Sequence, residues 1–196
     1  MAPAKKRTYD NTGRTAAAAE TRARILEAAY ELFLAHPFPD VTIPRIAEAA
    51  GVSVPTVVQH FRTKDGLVEA LTAAWRPREQ ALRDVPSGDP LEAAHKICAR
   101  YEATGAAVVR WLAIEGQLPA VDRALATGRA AHRTWVERTF GARLGSGKAR
   151  ERRVMALVAA YDVYTWHVVR RVLSAEETVQ VMAELARGVL EKGDRR

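Results

Sequence analysis

Apolar residues recur along this 196-residue chain at the three- and four-residue intervals of an amphipathic helix. Nowhere do β-branched residues alternate cleanly with the two-residue period of a strand. The pattern predicts an all-α protein. Ile25, Leu26, Ala29, Leu32 and Phe33 mark a first helix over Glu20 to Ala35, stopped by the prolines of His36-Pro37-Phe38-Pro39. Thr42 can cap a second helix with Pro44 in its first turn, and Ile46, Ala47 and Ala50 share its inner face. Gly51 supplies the left-handed conformation of a sharp turn; Ser53 then caps a third helix, with Pro55 in its first turn. That helix has only about two turns and cannot stand alone in water. Packing of Val57 and Phe61 must hold it while its other face meets a partner. Thr63 caps a fourth helix to about Trp75. Residues 42–61 thus read as two short helices hinged at one glycine, a helix-turn-helix.

Pro77, Pro86, Ser87, Gly88 and Pro90 crowd the next stretch and predict a loop and a domain boundary. The chain divides into a flexible basic arm (1–19), a helix-turn-helix domain (20–78) and an all-helical domain (79–196). Asp89-Pro90 opens a helix to about Thr104, and later breaks are expected at Gly105, 116–119, 144–147 and Ser174. Residues 148–173 carry two apolar stripes, one through Val154, Leu157, Tyr161 and Val168, the other through Met155, Trp166 and Leu173. That is the pattern of a helix buried by more than one partner. Ser174-Ala175-Glu176-Glu177 is a capping box for a last helix with Val179, Met182, Leu185, Val189 and Leu190 on its apolar face.

Composition narrows the class. Hydrophobic residues make up 48% of the chain, enough for a core without staples. The one cysteine, Cys98, rules out an internal disulfide framework and a cysteine-based zinc site. The N-terminus has no apolar core of signal-peptide length, and no segment reaches about 18 uninterrupted apolar residues, so the expectation is a cytoplasmic protein with no membrane partner. A net charge of +7 favours a polyanion as partner, and Lys5, Lys6, Arg7 and Arg14 give the N-terminal arm phosphates to lie along.

In helix-turn-helix proteins the second helix enters the DNA major groove with its N-terminal residues at base edges, here Val54, Pro55, Thr56 and Gln59. Several features together resemble the DNA-binding domain of the TetR family of transcriptional regulators over about Glu20 to Ala74. They are Arg24-Ile25-Leu26-Glu27-Ala28-Ala29 with Leu32 and Phe33, Thr42, Ile46-Ala47-Glu48-Ala49-Ala50-Gly51-Val52-Ser53, Thr56-Val57, His60-Phe61 and Lys64-Asp65-Gly66-Leu67. The resemblance implies phosphate contacts from Thr42, Thr56, His60 and Lys64 and base contacts from Val54, Pro55 and Gln59. Ser53 and Val58 complete the candidate set. Val58 departs from the family, which usually has an aromatic there; a backbone contact is lost or Gln59 is used differently. Gln59 can pair with adenine, while Val54 and Pro55 offer only apolar contact such as to a thymine methyl.

The resemblance further implies a homodimer on a palindromic double-stranded operator, paired through its last two long helices, and a repressor released by a small, largely apolar effector. Candidates for the effector site are the aromatics Trp75, Tyr101, Trp111, Trp135, Tyr161, Tyr164 and Trp166, with Cys98, Asp162 and His167 as polar interruptions of apolar stripes. His132 shares that second property, and Glu115 beside Trp111 is a further candidate. A constitutive binder or activator without an effector, and a helical enzyme or carrier, are the rival readings. No nucleophile–base pair, phosphate-binding glycine loop or metal-ligand spacing supports the enzyme, and no cofactor or metal is expected.

Overall fold

A computed structural model describes residues 12–194, and every regular element in them is helical. The order is α1 (Thr12–Ala35), a 3-10 turn η1 (Phe38–Asp40), α2 (Ile43–Ala49), α3 (Val54–Phe61), α4 (Lys64–Leu82), α5 (Pro90–Leu112), α6 (Pro119–Phe140), a second 3-10 turn η2 (Gly141–Arg143), α7 (Gly147–Ala160), α8 (Val163–Arg170) and α9 (Ala175–Asp194). The caps read from the sequence are made. Thr42, Ser53, Thr63 and Asp89 each accept from a backbone N–H at the start of α2, α3, α4 and α5. Ser174 and Glu177 close the capping box of α9, with Ser174 N–H donating to Glu177 Oε2 at 2.9 Å and Glu177 N–H donating to Ser174 Oγ at 3.2 Å.

Four boundaries differ from expectation. Helix α1 begins at Thr12, so the flexible arm expected over 1–19 is helical from there on; Lys5, Lys6 and Arg7 lie outside the described residues. Helix α4 runs past Trp75 and through Pro77 to Leu82. The proline removes one exposed intrahelical bond, and burial of Arg83 and Val85 in the next core draws the segment on. Gly105 does not break α5. It makes room for the Trp166 ring, which a Cβ at that position would overlap. The single helix expected over 148–173 is two, because Tyr161 is fully buried at the end of α7 and Asp162 caps α8 by accepting from Tyr164 N–H at 2.9 Å.

Two hydrophobic cores result. The first joins Ile25, Ala29, Phe33, Phe38, Val41, Ile46, Val57, Phe61, Leu67 and Leu71 of α1 to α4, and also takes in Ala120, Val121 and Leu125 of α6, with Trp111 packed against it. The second is built from α5 to α9 around Tyr101, Trp135, Phe140, Tyr161, Trp166 and Met182. We call these the head and the body. The head's core therefore borrows the start of α6 and the end of α5.

Candidate nucleic-acid interface

Helix α3 is held from both ends. Ser53 Oγ accepts from Thr56 N–H at 3.3 Å and lies 2.8 Å from Thr56 Oγ1, which fixes the first turn. Val57 is fully buried and Phe61 nearly so, which fixes the rotation of the helix. The turn before α3 uses Gly51 at φ +63, where any side chain would be strained. The turn after it is tighter. Arg62 has φ 63 and ψ −54, and Thr63 N–H donates to Phe61 O at 2.7 Å, a γ-turn in its rare positive-φ form. Gly66 sits so close that a Cβ there would overlap the Phe61 carbonyl oxygen.

With Val57 and Phe61 inside, the outward face follows. Ser53, Val54, Pro55, Val58 and Gln59 are exposed, Val54 by 40% and Val58 by 44%; Thr56 and His60 are half-buried at the edge. Thr42 is exposed at the start of α2. Eight of the nine candidate DNA contacts therefore lie on or beside α3 or at the α2 N-terminus, exposed or half-buried.

Lys64 is the exception. Its ammonium turns inward, donates to the Phe38 carbonyl and sits 3.8 Å from the centre of the Phe38 ring. Burial lowers its pKa from the ordinary lysine value, with the charges of Asp65 and Asp40 acting the other way. A carbonyl and an aromatic face thus compensate a cation misplaced at a helix N-terminus, the position for which a phosphate contact is expected. One residue is not legible as a candidate from the sequence at all: Arg22, exposed on α1, lies with its guanidinium 5.0 Å over the Phe61 ring, beside the end of α3. Nothing in local spacing links positions 22 and 61.

The effector candidates fare differently. Tyr101 and Tyr161 are buried; Tyr101 Oη donates to Tyr161 O at 3.0 Å and Tyr161 Oη to Pro90 O at 2.9 Å. Burial holds both phenols above their ordinary range. Trp135 Nε1 donates to Arg83 O at 2.6 Å and Trp166 Nε1 to Glu102 Oε1 at 3.1 Å. Cys98 is buried with its Sγ 3.5 Å from Met182 Sδ, and burial pushes its thiol up to about 12. Trp75 stacks on Tyr30 at 4.9 Å and Trp111 packs edge-on against Phe33 and Phe38 at 5.5 Å each, so both belong to the head. Asp162 is a cap, His167 is half-buried and Tyr164 is 51% exposed. Glu115 forms an exposed ion pair with Arg129. His132 is buried, with Nε2 3.2 Å from Val158 O and Nδ1 unpartnered among the described residues; burial lowers its pKa to about 4. Cys98, Tyr101, Trp135, Tyr161 and Trp166 thus pack together in the core of the body, whereas Trp75 and Trp111 pack against the core of the head.

The open grooves lie elsewhere. One of about 740 Å³ runs between α7 and α9, lined by Ala149, Arg152, Ala156, Val181, Leu185 and Gly188. Next to these helices, α8 exposes Tyr164 and Val168, and Val172 is exposed just beyond its end. Among the described residues, no three His, Cys, Asp or Glu side chains group to hold a metal, and no helix is long and apolar enough to cross a membrane.

Residues 25–71 match the family of bacterial regulatory proteins, tetR family. Two curated relatives are each similar over about a third of the chain. The uncharacterized HTH-type transcriptional regulator TtgW of Pseudomonas putida is 45% identical over 67 residues, 34% of this chain and 48% of that protein. The HTH-type transcriptional regulatory protein RaaS of Mycobacterium tuberculosis is 49% identical over 70 residues, 35% of this chain and 32% of that protein. The chain thus spans less than half the length of these relatives. Solved structures extend the likeness in fold to most of the chain. A transcriptional regulator from Rhodococcus sp. Rha1 superposes with a TM-score of 0.69 at 18% identity, over 89% of this chain and 98% of that one. NalD, the secondary repressor of the MexAB-OprM multidrug efflux pump in Pseudomonas aeruginosa, does so with a TM-score of 0.60 at 21% identity, over 88% and 97%.

Proposed function

Starting from a chain whose N-terminal domain belongs to the TetR family, we propose that the protein is a sequence-specific DNA-binding transcriptional regulator, a repressor that works as a homodimer in the cytoplasm. It is not an enzyme, in keeping with relatives that are regulators. The observation that carries the reading is the outward face of α3, where Val54, Pro55, Val58 and Gln59 are presented by a helix whose caps and inner residues are already used in holding it. In the major groove Gln59 meets adenine and Val54 and Pro55 meet apolar edges, while Thr42, Thr56, His60 and Arg22 meet phosphates. A second copy covers the apolar residues of α8 and the groove between α7 and α9, and sets two heads on half-sites about 34–36 Å apart. Repression is supported by the likeness to NalD, itself a repressor.

Release by a small effector is the finer part of the proposal. The polar tips of Tyr101, Trp135, Tyr161 and Trp166 all serve protein acceptors, so an apolar molecule entering among them has to displace these bonds. That observation favours a second reading, a regulator that answers to no small molecule. A thermal-shift screen of apolar compounds separates the two: stabilisation that scales with ligand concentration, coupled to loss of DNA affinity, supports the effector.

The test of the main reading is selection of source-genome fragments by the purified chain at moderate salt. A single palindromic motif supports it, and salt-sensitive binding without a motif overturns it. On that motif, Gln59→Ala is expected to cost about 1–3 kcal/mol and relax one position. Arg22→Ala weakens every duplex alike and lowers the salt slope by about one.

A further inference from the structure

Helix α1 has no basic residue in its last turn, and Pro37, which follows it, has no N–H to offer. The helix end is completed from the body. Arg110 of α5 donates from Nη2 to the Leu34 carbonyl, bringing a cation to the negative end of α1. The next residue, Trp111, is set edge-on against Phe33 and Phe38, whose rings stack at 5.3 Å. Lys64 completes the knot, with its ammonium over the Phe38 ring and bonded to the Phe38 carbonyl. The ends of α1 and α5, the turn η1 and the start of α4 are thereby tied together four residues before Thr42, where α2 is capped. Trp111 Nε1 is buried without a hydrogen-bond partner among the described residues, so what this indole contributes is its shape.

The same helix is bolted to the body a short way back. The Trp166 ring of α8 occupies the notch at Gly105, and Tyr101 donates to the Tyr161 carbonyl at the α7–α8 junction. Gly105 and Arg110 are five residues apart on α5, about 7.5 Å along the axis. One helix thus carries both the contact with α8 and the contact with α1.

We propose that Arg110 and Trp111 are positioning residues for DNA reading. They fix the angle at which α2 and α3 leave the body, and α5 is the rod through which a change at α8 turns the head. This rests on the DNA-binding reading above, but its first test does not need DNA. Spin labels on an intrachain pair, Glu48→Cys in α2 and Glu176→Cys in α9, both exposed and with Cys98 buried, report the head-to-body distance. Arg110→Gln and Trp111→Leu are expected to broaden or shift that distribution while far-UV circular dichroism is retained. Arg133→Gln, which breaks an ion pair between α6 and α7, leaves it narrow. On the motif selected by the unmutated chain, both variants lose affinity about tenfold with binding to a scrambled duplex unchanged, and Arg110→Lys recovers part of it. An unshifted, narrow distribution overturns the proposal, as does an equal loss on both duplexes. Should Trp111→Leu fail to fold, the half-buried Arg110 carries the test. Failure of the unmutated chain to select any motif sinks the DNA reading and leaves the distance measurement to decide the clasp.

Discussion

Two helices of this protein are built to the same plan. Helices α3 and α8 are each eight residues long, each capped at the N-terminus by a side-chain oxygen (Ser53, Asp162), and each anchored by two buried residues, Val57 and Phe61 in one, Val163 and Trp166 in the other. Each leaves apolar residues in the open, Val54 and Val58 on α3, Tyr164 and Val168 on α8. What differs is the rest of the exposed face. On α3 it holds Thr56, Gln59 and His60 with Arg22 and Thr42 nearby, groups that match base edges and phosphates. On α8 the apolar line runs on to Val172, which is 84% exposed. On the reading proposed above, one plan for a short helix serves a polar duplex in one place and an apolar surface in another, and the distinction lies in a handful of outward side chains.

Removing the anchors tests that symmetry hardest. Phe61→Ala and Trp166→Ala are each expected to destabilise the chain by about 3–5 kcal/mol in urea titrations. Hydrogen exchange should then separate them: Phe61→Ala exposes the amides of α2 and α3, and Trp166→Ala those of α8. If Trp166→Ala opens α2 and α3 as fully, the two helices do not belong to separable cores.

Acid should act on the body side. His132 is neutral in the folded chain because burial lowers its pKa to about 4. The unfolded chain takes up that proton near pH 6.5, so the stabilisation is complete above pH 6.5, declines as pH falls from 6.5 toward 4, and levels off below. The shift corresponds to roughly 3 kcal/mol. A His132→Gln variant should lack this part of the slope in urea midpoints measured across that range; an unaltered slope would mean that the imidazole is solvated.

Glycines beside the two anchors give the next effect. Glycine to alanine inside a helix ordinarily stabilises by about 0.5–1 kcal/mol. At Gly66 and Gly105 the sign should reverse, by about 1–3 kcal/mol, because the added Cβ meets the Phe61 carbonyl or the Trp166 ring. Gly66→Ala should be the worse, since its obstacle is backbone. A rise in thermal midpoint for either would show that the contact relaxes.

The head was largely legible in the sequence because its signals are local. Thr42, Ser53 and Thr63 cap within three residues of the N–H they serve, Gly51 marks its own turn, and Val57 and Phe61 declare the inner face by spacing alone. What could not be read there was long-range. The inward turn of Lys64 depends on Phe38, 26 residues away, and the partner of Leu34 is Arg110, 76 residues away. The body was legible as helices but not as chemistry. An aromatic in an apolar stripe looks alike whether its polar tip faces a ligand or a carbonyl, and Tyr101, Trp135 and Tyr161 all found carbonyls. Gly105 misled for a related reason: a glycine that breaks a helix and one that admits a ring differ only in what lies across from them.

The smallest expected effect returns to Val58, where α3 departs from the pattern of the family it resembles. Val58 is 44% exposed on the outward face, where the family usually has an aromatic. Its isopropyl group can exclude water but can neither donate to nor accept from a duplex. Val58→Tyr adds a hydroxyl that can donate to a phosphate oxygen, a contact worth about 1 kcal/mol net. Because that contact is to backbone, affinity should rise by a similar factor of about five on the selected motif and on a scrambled duplex, as read by titration at fixed salt. The helix should be indifferent, since the site is exposed. A gain confined to the selected motif would place position 58 among the base-reading residues and reassign Gln59, whereas a loss on the motif alone would mean that Val58 already fills an apolar contact with a base, as Val168 of α8 is proposed to do with a second copy of the chain.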